Sequence, residues 1–523
     1  MNDDNLILTI DLGTSGPKVS LFDFHAKTIG YEFLETRTIF TPDGGVEQDP
    51  YEWIQAIEKC YFALIEKTKI NTQAIKAINV TSQWSGTVAI DSNKKPLYNA
   101  IIWMDDRGAP FIKKRVEGLI NIEGYAALKL LKWINITGGM PSLSGKDSVA
   151  HILFIKEKLA DIYQRTYKFL EPKDFINLYL SDKIATSADT STLHWITDNR
   201  DINNIKYHAG LAAELSIDLK KLPDILPANS ILGTVSESIS KKWNLSPTTQ
   251  LVIGTPDTHS AAIGSGAVND FEGHLYYGTS SWLLTHFPTK KTDIFNNMAT
   301  IPSAIPGRYL LANEQESAGT NLNFLKNNIF FPKDKVSTAN APANFYQLLD
   351  EMIADKAPGS NGLFFLPWLN GERSPIDNHK ARGGFYNLAL KHTRADLVQA
   401  VFEGVGMNSK WLLDAVEKNC KKPFEVINFI GGGANSAVWC QILANIFDRK
   451  IAQVAEPVSA NSRGAALLAL LAIGQIKQNE IKNLVTIKQI FSPNKESVAY
   501  YKDRFVLFKA IYKKNVGIFN KIN

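Results

Sequence analysis

An α/β fold in two lobes around a cleft is predicted by three features of this 523-residue chain. Each half opens with an apolar strand, a carboxylate and a Gly-Thr-Ser turn. Strand-length apolar runs alternate with longer stretches of helix-type spacing. The length exceeds what one hydrophobic core organises, so two large domains are expected.

The first element is Leu6 to Ile10, a strand by length and composition. It meets Asp11-Leu12-Gly13-Thr14-Ser15-Gly16, and the chain returns through Lys18 to Phe22 as a second strand. Gly and Ser in such a turn bring backbone N–H groups close to an anion, so the hairpin is suited to gripping phosphate. Asp11 beside that nest fits a ligand for Mg²⁺, usually through its waters. A plain Gly/Ser hairpin with a solvated Asp is the competing reading. Asp49 to Lys67 and Arg394 to Val416 carry helix-type spacing. A second unit begins with the strand Leu251 to Pro256, ends in Asp257, and continues to the apolar-flanked turn Gly278-Thr279-Ser280-Ser281 in Gly273 to Leu284. The boundary is expected near residue 250, after the polar stretch Asn244 to Gln250, giving domains 1–250 and 251–523. Val426 to Ile430 reads as a strand delivering Gly431, Gly432 and Gly433. Ser436 then supplies a capping hydroxyl for an amphipathic helix, and bare backbone before a helix N-terminus suits a flat or anionic ligand.

Composition excludes several function classes. A net charge of +5 over this length gives no basis for nucleic-acid binding. No apolar run approaches the roughly 18 residues of a spanning helix. The acidic start MNDDN predicts no signal peptide, so a cytoplasmic protein without a membrane partner is expected. Cys60, Cys420 and Cys440 are odd in number and lack metal spacing, as buried thiols in a reducing compartment would. A homodimer is left open.

Five segments together resemble the FGGY carbohydrate kinases, which share the actin and Hsp70 ATPase core. They are Asp11 to Gly16, Trp103-Met104-Asp105-Asp106-Arg107, Gly254-Thr255-Pro256-Asp257, Phe365 to Arg373, and Gly431-Gly432-Gly433-Ala434. Ala381-Arg382-Gly383 to Glu403, with Asp396 and Glu403 in register, is similar to the family's C-terminal signature. The order and spacing are more specific than any one motif, and the resemblance runs over nearly the whole chain. It implies two actin-like (ribonuclease H-like) domains, ATP and Mg²⁺ as cofactors, and a small sugar as partner.

By resemblance, Asp257 is the general base on the sugar hydroxyl and, with Asp11, lies on the metal side. A helix N-cap is the structural alternative for Asp257. Thr14, Ser15, Lys18, Gly278 and Thr279 are implied phosphate contacts, and Gly431 to Gly433 with Ser436 the adenosine site. The DLGTSG turn followed by Lys18 looks most like xylulokinases, which implies a pentulose such as D-xylulose. Gln83, Trp84, Ser85, Trp103, Asp105 and Thr258 are the implied sugar contacts. The match departs from the xylulokinase pattern where Trp84-Ser85 replaces Met-His and Thr258 replaces Asn. Another ketose, a glycerol-like polyol or a sugar acid therefore stays open, as does a nucleotide-binding regulatory protein without kinase activity. Trp103 has a core-packing alternative, Arg107 is expected to ion-pair with Asp105 or Asp106, and Asn387, where the signature has Gly, is expected to sit in left-handed backbone.

Overall fold

The computed structural model describes residues 5–523, so the acidic start at Met1 to Asp4 lies outside it. The first sheet has six strands: β1 (Leu6–Gly13), β2 (Gly16–Asp23), β3 (Thr28–Phe33), β4 (Ile75–Ser82), β5 (Ile231–Thr234) and β6 (Gln250–Pro256). Their spatial order is β5-β6-β4-β1-β2-β3. Only the β6–β4 and β4–β1 contacts are parallel; the other three are antiparallel. The second sheet has eight: β7 (Gly273–Tyr277), β8 (Ser281–Phe287), β9 (Thr292–Asp293), β10 (Met298–Pro302), β11 (Tyr309–Ala312), β12 (Val426–Ile430), β13 (Lys450–Val454) and β14 (Ile487–Phe491). Across β14-β13-β12-β7-β8-β11 the same sense of pairing recurs, with the two central contacts parallel. The repeated strand-acid-turn logic of the sequence is thus a repeated sheet.

The helices follow from local chemistry. Asp49 accepts from the Tyr51 amide and caps α1 (Pro50–Thr68), with Pro50 at the first helical position, where no N–H is needed. Between the sheets lie α2 (Asp257–Gly264) and, much later in the chain, α5 (Ala460–Ala472); α3 (Arg394–Cys420) and α4 (Ala437–Phe447) pack in the second lobe. Small residues let α2 and α5 approach closely. A β-carbon on Gly264 would stand 1.8 Å from the Ala460 carbonyl oxygen, and one on Gly464 equally close to that of Ser260. Ala466, Ala469 and Leu470 of α5 pack with Ile7, Ala77 and Val252 of the first sheet. Leu467 and Leu468 join Ile430 and Val454 of the second. One helix pair therefore serves both cores.

The sheets change over later than the boundary expected near residue 250. Strand β6 begins at Gln250 and is hydrogen-bonded into the first sheet, and the second sheet starts at Gly273. Polar residues before a strand mark the end of a loop, not the sheet to which the next strand is added. Asn387 does adopt left-handed backbone, at φ +68°.

Candidate active site

The carboxyl ends of three neighbouring parallel strands meet on one edge of the first sheet. In register, Asp11 on β1 faces Thr81 on β4, which faces Thr255 on β6. Adjacent strands lie about 4.8 Å apart, so Asp11 and the end of β6 are separated by about 10 Å. Ligands of open α/β sheets bind beyond such carboxyl ends. Two glycines shape the edge. Gly16 (φ +140°) brings its backbone so near Leu34 that a β-carbon would lie 2.0 Å from the Leu34 carbonyl oxygen. Gly254 (φ +77°) sits in a register shift between Val252 and Thr255, with a β-carbon position 2.1 Å from the Val80 carbonyl oxygen. This bulge re-aims the strand one turn before Asp257. The fully buried Lys173 ammonium (3.1 Å) and the Asn177 amide (2.8 Å) both donate to the Ile253 carbonyl at the bulge.

Asp257 is the first residue of α2, partly exposed, and Pro256 occupies the cap position. Its Oδ1 accepts from the Thr258 N–H at 2.7 Å. The expected alternative of an N-cap at Asp257 is thus not what the backbone adopts. Desolvation first, then the negative charges of Asp11 and Glu314, push its carboxyl up to about 7. Asp11, 8% exposed, is also raised by burial, against the pull of Lys18 Nζ at 3.6 Å. Lys18 donates in addition to the Val458 carbonyl, 3.1 Å away, so the first hairpin is tied to the segment leading into α5. Among the described residues no three His, Cys, Asp or Glu side chains gather as a metal cluster. One or two desolvated, like-charged carboxylates beside a phosphate turn nevertheless suit Mg²⁺, which keeps waters and takes its remaining ligands from phosphate.

Opposite, the second sheet presents the equivalent strand ends. Gly278 and Thr279 turn from β7 into β8, with Thr279 exposed, and Gly431 ends the adjacent β12. A β-carbon on Gly431 would meet the Tyr277 carbonyl oxygen at 2.5 Å, and one on Gly433 the Tyr277 side chain at 2.7 Å. Gly432 differs, since nothing lies closer than 4.0 Å. Ser436 caps α4, accepting from the Trp439 amide at 2.9 Å, and donates to Asp350 Oδ1 at 2.7 Å. Its hydroxyl is committed to the helix, so a direct adenosine contact would have to displace that pairing.

The implied sugar residues divide into two kinds. Thr14 Oγ donates to Gln83 (3.1 Å) and accepts from Trp103 Nε1 (2.9 Å), while Gln83 donates to Gln48 (2.8 Å). This chain of bonds fixes the turn at Gly13 to Gly16 to the loop Ser82 to Gly86, and Trp103 is partly exposed in it and not core. Ser15 is exposed at the tip of the turn. Trp84 is partly exposed, donates to the Thr190 carbonyl and meets His259 edge-on at 5.1 Å. Ser85, in left-handed backbone, donates to the Lys146 carbonyl at 2.5 Å. Asp105 does not offer a free carboxylate. It is 1% exposed and receives the Val46 amide together with Nε and a terminal nitrogen of Arg107. The expected Arg107–Asp105 pair is present, and Arg107 also reaches Glu47 and Asp43. A carboxylate saturated by a buried guanidinium orients the loop and has no free acceptor to offer a sugar hydroxyl.

The sequence reading did not single out Glu314, Tyr276 or His259. Glu314 and Glu316 pair with Arg373, and Tyr276 stacks on Trp282 at 3.8 Å with its phenol shifted up by burial and by Asp257, Asp11 and Glu314. Each lies near a recognised motif, but only the fold brings β7, the loop at Glu314 and α2 together.

Family models for the N-terminal and C-terminal domains of FGGY carbohydrate kinases match residues 6–264 and 273–473. The chain belongs to the FGGY family of carbohydrate kinases. It is 29% identical to a xylulose kinase of Staphylococcus epidermidis, over 97% of each chain, and 25% identical to a gluconokinase of Bacillus subtilis, over 96% of this chain and 94% of that one. A solved xylulose kinase from Lactobacillus acidophilus superposes with a TM-score of 0.85 at 25% identity, covering 99% of this chain and 100% of that one. This FGGY chain is therefore a sugar kinase with two actin-like α/β domains, and the family implies ATP as its co-substrate. No described helix is long and apolar enough to cross a membrane. All three cysteines are free and buried.

Proposed function

We propose that this FGGY kinase transfers the γ-phosphoryl group of ATP to a hydroxyl of a ketose, a pentulose such as D-xylulose being the leading acceptor. Asp257 carries the reading: a partly exposed carboxylate with a pKa near 7, at the first residue of α2 directly after the bulged strand β6. A base near the working pH removes a hydroxyl proton efficiently. As the hydroxyl oxygen bonds to phosphorus, its proton passes to Asp257 and the bond to the ADP oxygen breaks, in line with the attack. The backbone turns at Thr14 to Gly16 and Gly278 to Thr279 would hold phosphates, and Gly431 to Gly433 would lie against adenosine. Asp11, with Asp257, would hold Mg²⁺, which supplies charge neutralisation when bound.

Xylulose kinases at 29% identity support the ketose, and the gluconokinase relative supports a sugar acid as the second reading. Trp84 and Ser85 favour keeping that second reading, because a wide indole and an already bonded hydroxyl offer no free imidazole to the sugar. A coupled ADP-release screen over pentuloses, hexuloses, polyols and sugar acids tests both. Turnover of D-xylulose at ordinary kinase efficiency supports the first; preference for gluconate or another acid replaces it with the second.

A further inference from the structure

Two buried connections run between the loop Ser82 to Gly86, proposed to face the sugar, and strand β6, which leads into Asp257. The first passes through the start of the helix Pro172–Ser181. Glu171 stands at its cap position, where a side chain ordinarily accepts from the first helical amides, yet it makes no such bond. Both of its oxygens turn outward: Oε2 accepts from the Gly86 N–H at 2.9 Å and Oε1 from the Ser148 hydroxyl. A β-carbon on Gly86 would stand 2.4 Å from Pro172, so loop and helix also touch directly. On the same helix, the Lys173 ammonium and the Asn177 amide hold the Ile253 carbonyl. In the second connection, Thr255 Oγ donates to Asp189, and the carbonyl of the next residue, Thr190, receives Trp84 Nε1 at 3.1 Å.

The bulge gives the first connection its purpose. Register breaks between Val252 and Thr255, and the Ile253 and Gly254 amides turn to the Ser230 and Ala228 carbonyls at 3.0 Å each. The Asn177 amide alone would satisfy the Ile253 carbonyl, whereas an ammonium is costly to bury. Lys173 is therefore more than satisfaction requires, and the neighbouring Asp174 carboxylate pairs its charge. Glu171, Lys173, Asn177 and Asp189 are all 3% exposed or less, so none lies open to a ligand.

We infer that the segment Glu171 to Asn177 is a positioning element for phosphoryl transfer: Glu171 sets the acceptor loop, Lys173 and Asn177 set the strand that carries Asp257, and the helix between them fixes the distance from sugar to base. Each arm then has its own kinetic signature. Glu171 acts on acceptor affinity, and Lys173 acts on the chemical step.

The inference rests on the kinase reading above, and steady-state kinetics of the full-length enzyme with the best acceptor from the screen test it. Glu171→Leu is similar in size but accepts no hydrogen bond; it should raise the acceptor KM about tenfold with kcat held within about threefold. Glu171→Gln, whose side-chain oxygen still accepts from Gly86, should restore most of that loss. Lys173→Met combined with Asp174→Asn removes the ammonium without stranding a buried charge. Its kcat should fall about tenfold or more, while both KM values stay within about threefold. Asn177→Leu should give a smaller loss of kcat of the same kind, and it stands in for the double variant if that one does not fold. A merely structural role would instead move kcat and both KM values together as the melting temperature falls, with Gln no better than Leu at 171. That outcome, or wild-type constants in Glu171→Leu, overturns the inference while the kinase reading stands. A wild type that phosphorylates no acceptor removes both.

Discussion

In the proposed role of base, the carboxylate of Asp257 must be desolvated enough to hold a proton near neutrality and exposed enough to take one from a sugar. Those demands have opposite effects on stability. An acid whose folded pKa, about 7, lies above its unfolded value binds the extra proton only when folded. Stability from this group is therefore fully present below about pH 4 and is lost as pH rises toward 7. Asp257→Asn keeps the shape, abolishes the acceptor and removes that loss. Turnover should fall by about 10² or more, ATP affinity should survive in calorimetry, and the melting temperature should rise relative to wild type above pH 7. A kcat/KM profile of wild type should bend down below about pH 7. Near-normal turnover of the Asn variant would show that another group takes the proton. The same trade-off explains what sequence could reveal here. Asp257 was legible because it directly follows an apolar strand within a recognised motif, whereas its pKa depends on Asp11 and Glu314, 246 and 57 residues away in the chain.

Single elements were readable wherever periodicity and caps were local. Strand β12 was expected at Val426 to Ile430 and stands there; Ser436 caps α4 as its position suggested. The commitment of Asp105 to Arg107 was only half legible, since two carboxylates precede the arginine in sequence and the one that pairs with it is the one that also receives the Val46 amide. The three glycines of residues 431–433 looked equivalent as a string, yet they are not equivalent in space. A side chain at Gly431 or Gly433 would collide with Tyr277, while Gly432 faces room. Gly432→Phe should therefore leave the fold intact and fill the volume where adenosine is expected. Nucleotide affinity should drop at least tenfold, while sugar affinity stays within about twofold, both read by calorimetry. Equal loss of both in a folded variant would separate this turn from nucleotide binding.

Over the whole molecule, two sheets of matching topology bring their turns toward each other across a single pair of helices, α2 and α5. Duplicated architecture was visible in sequence as two strand-acid-turn units, but the close crossing of α2 and α5 between the sheets was not. Its parts, Gly264 and Gly464, are 200 positions apart and carry no motif. Small residues at that crossing let the helices pack closely, and α5 carries core side chains of both lobes. With the sugar proposed at the first sheet's edge and adenosine at the glycine turn of the second, the reacting groups would meet as the lobes approach, which would also exclude water from the transferring phosphoryl. Scattering should then record a smaller radius of gyration with the preferred sugar and a non-hydrolysable ATP analogue together than with either alone. Gly464→Val, which forces α5 away from the Ser260 carbonyl, should weaken that compaction and lower kcat more than it raises the KM for sugar. A radius unchanged by both ligands would mean that the cleft is already in its reactive form.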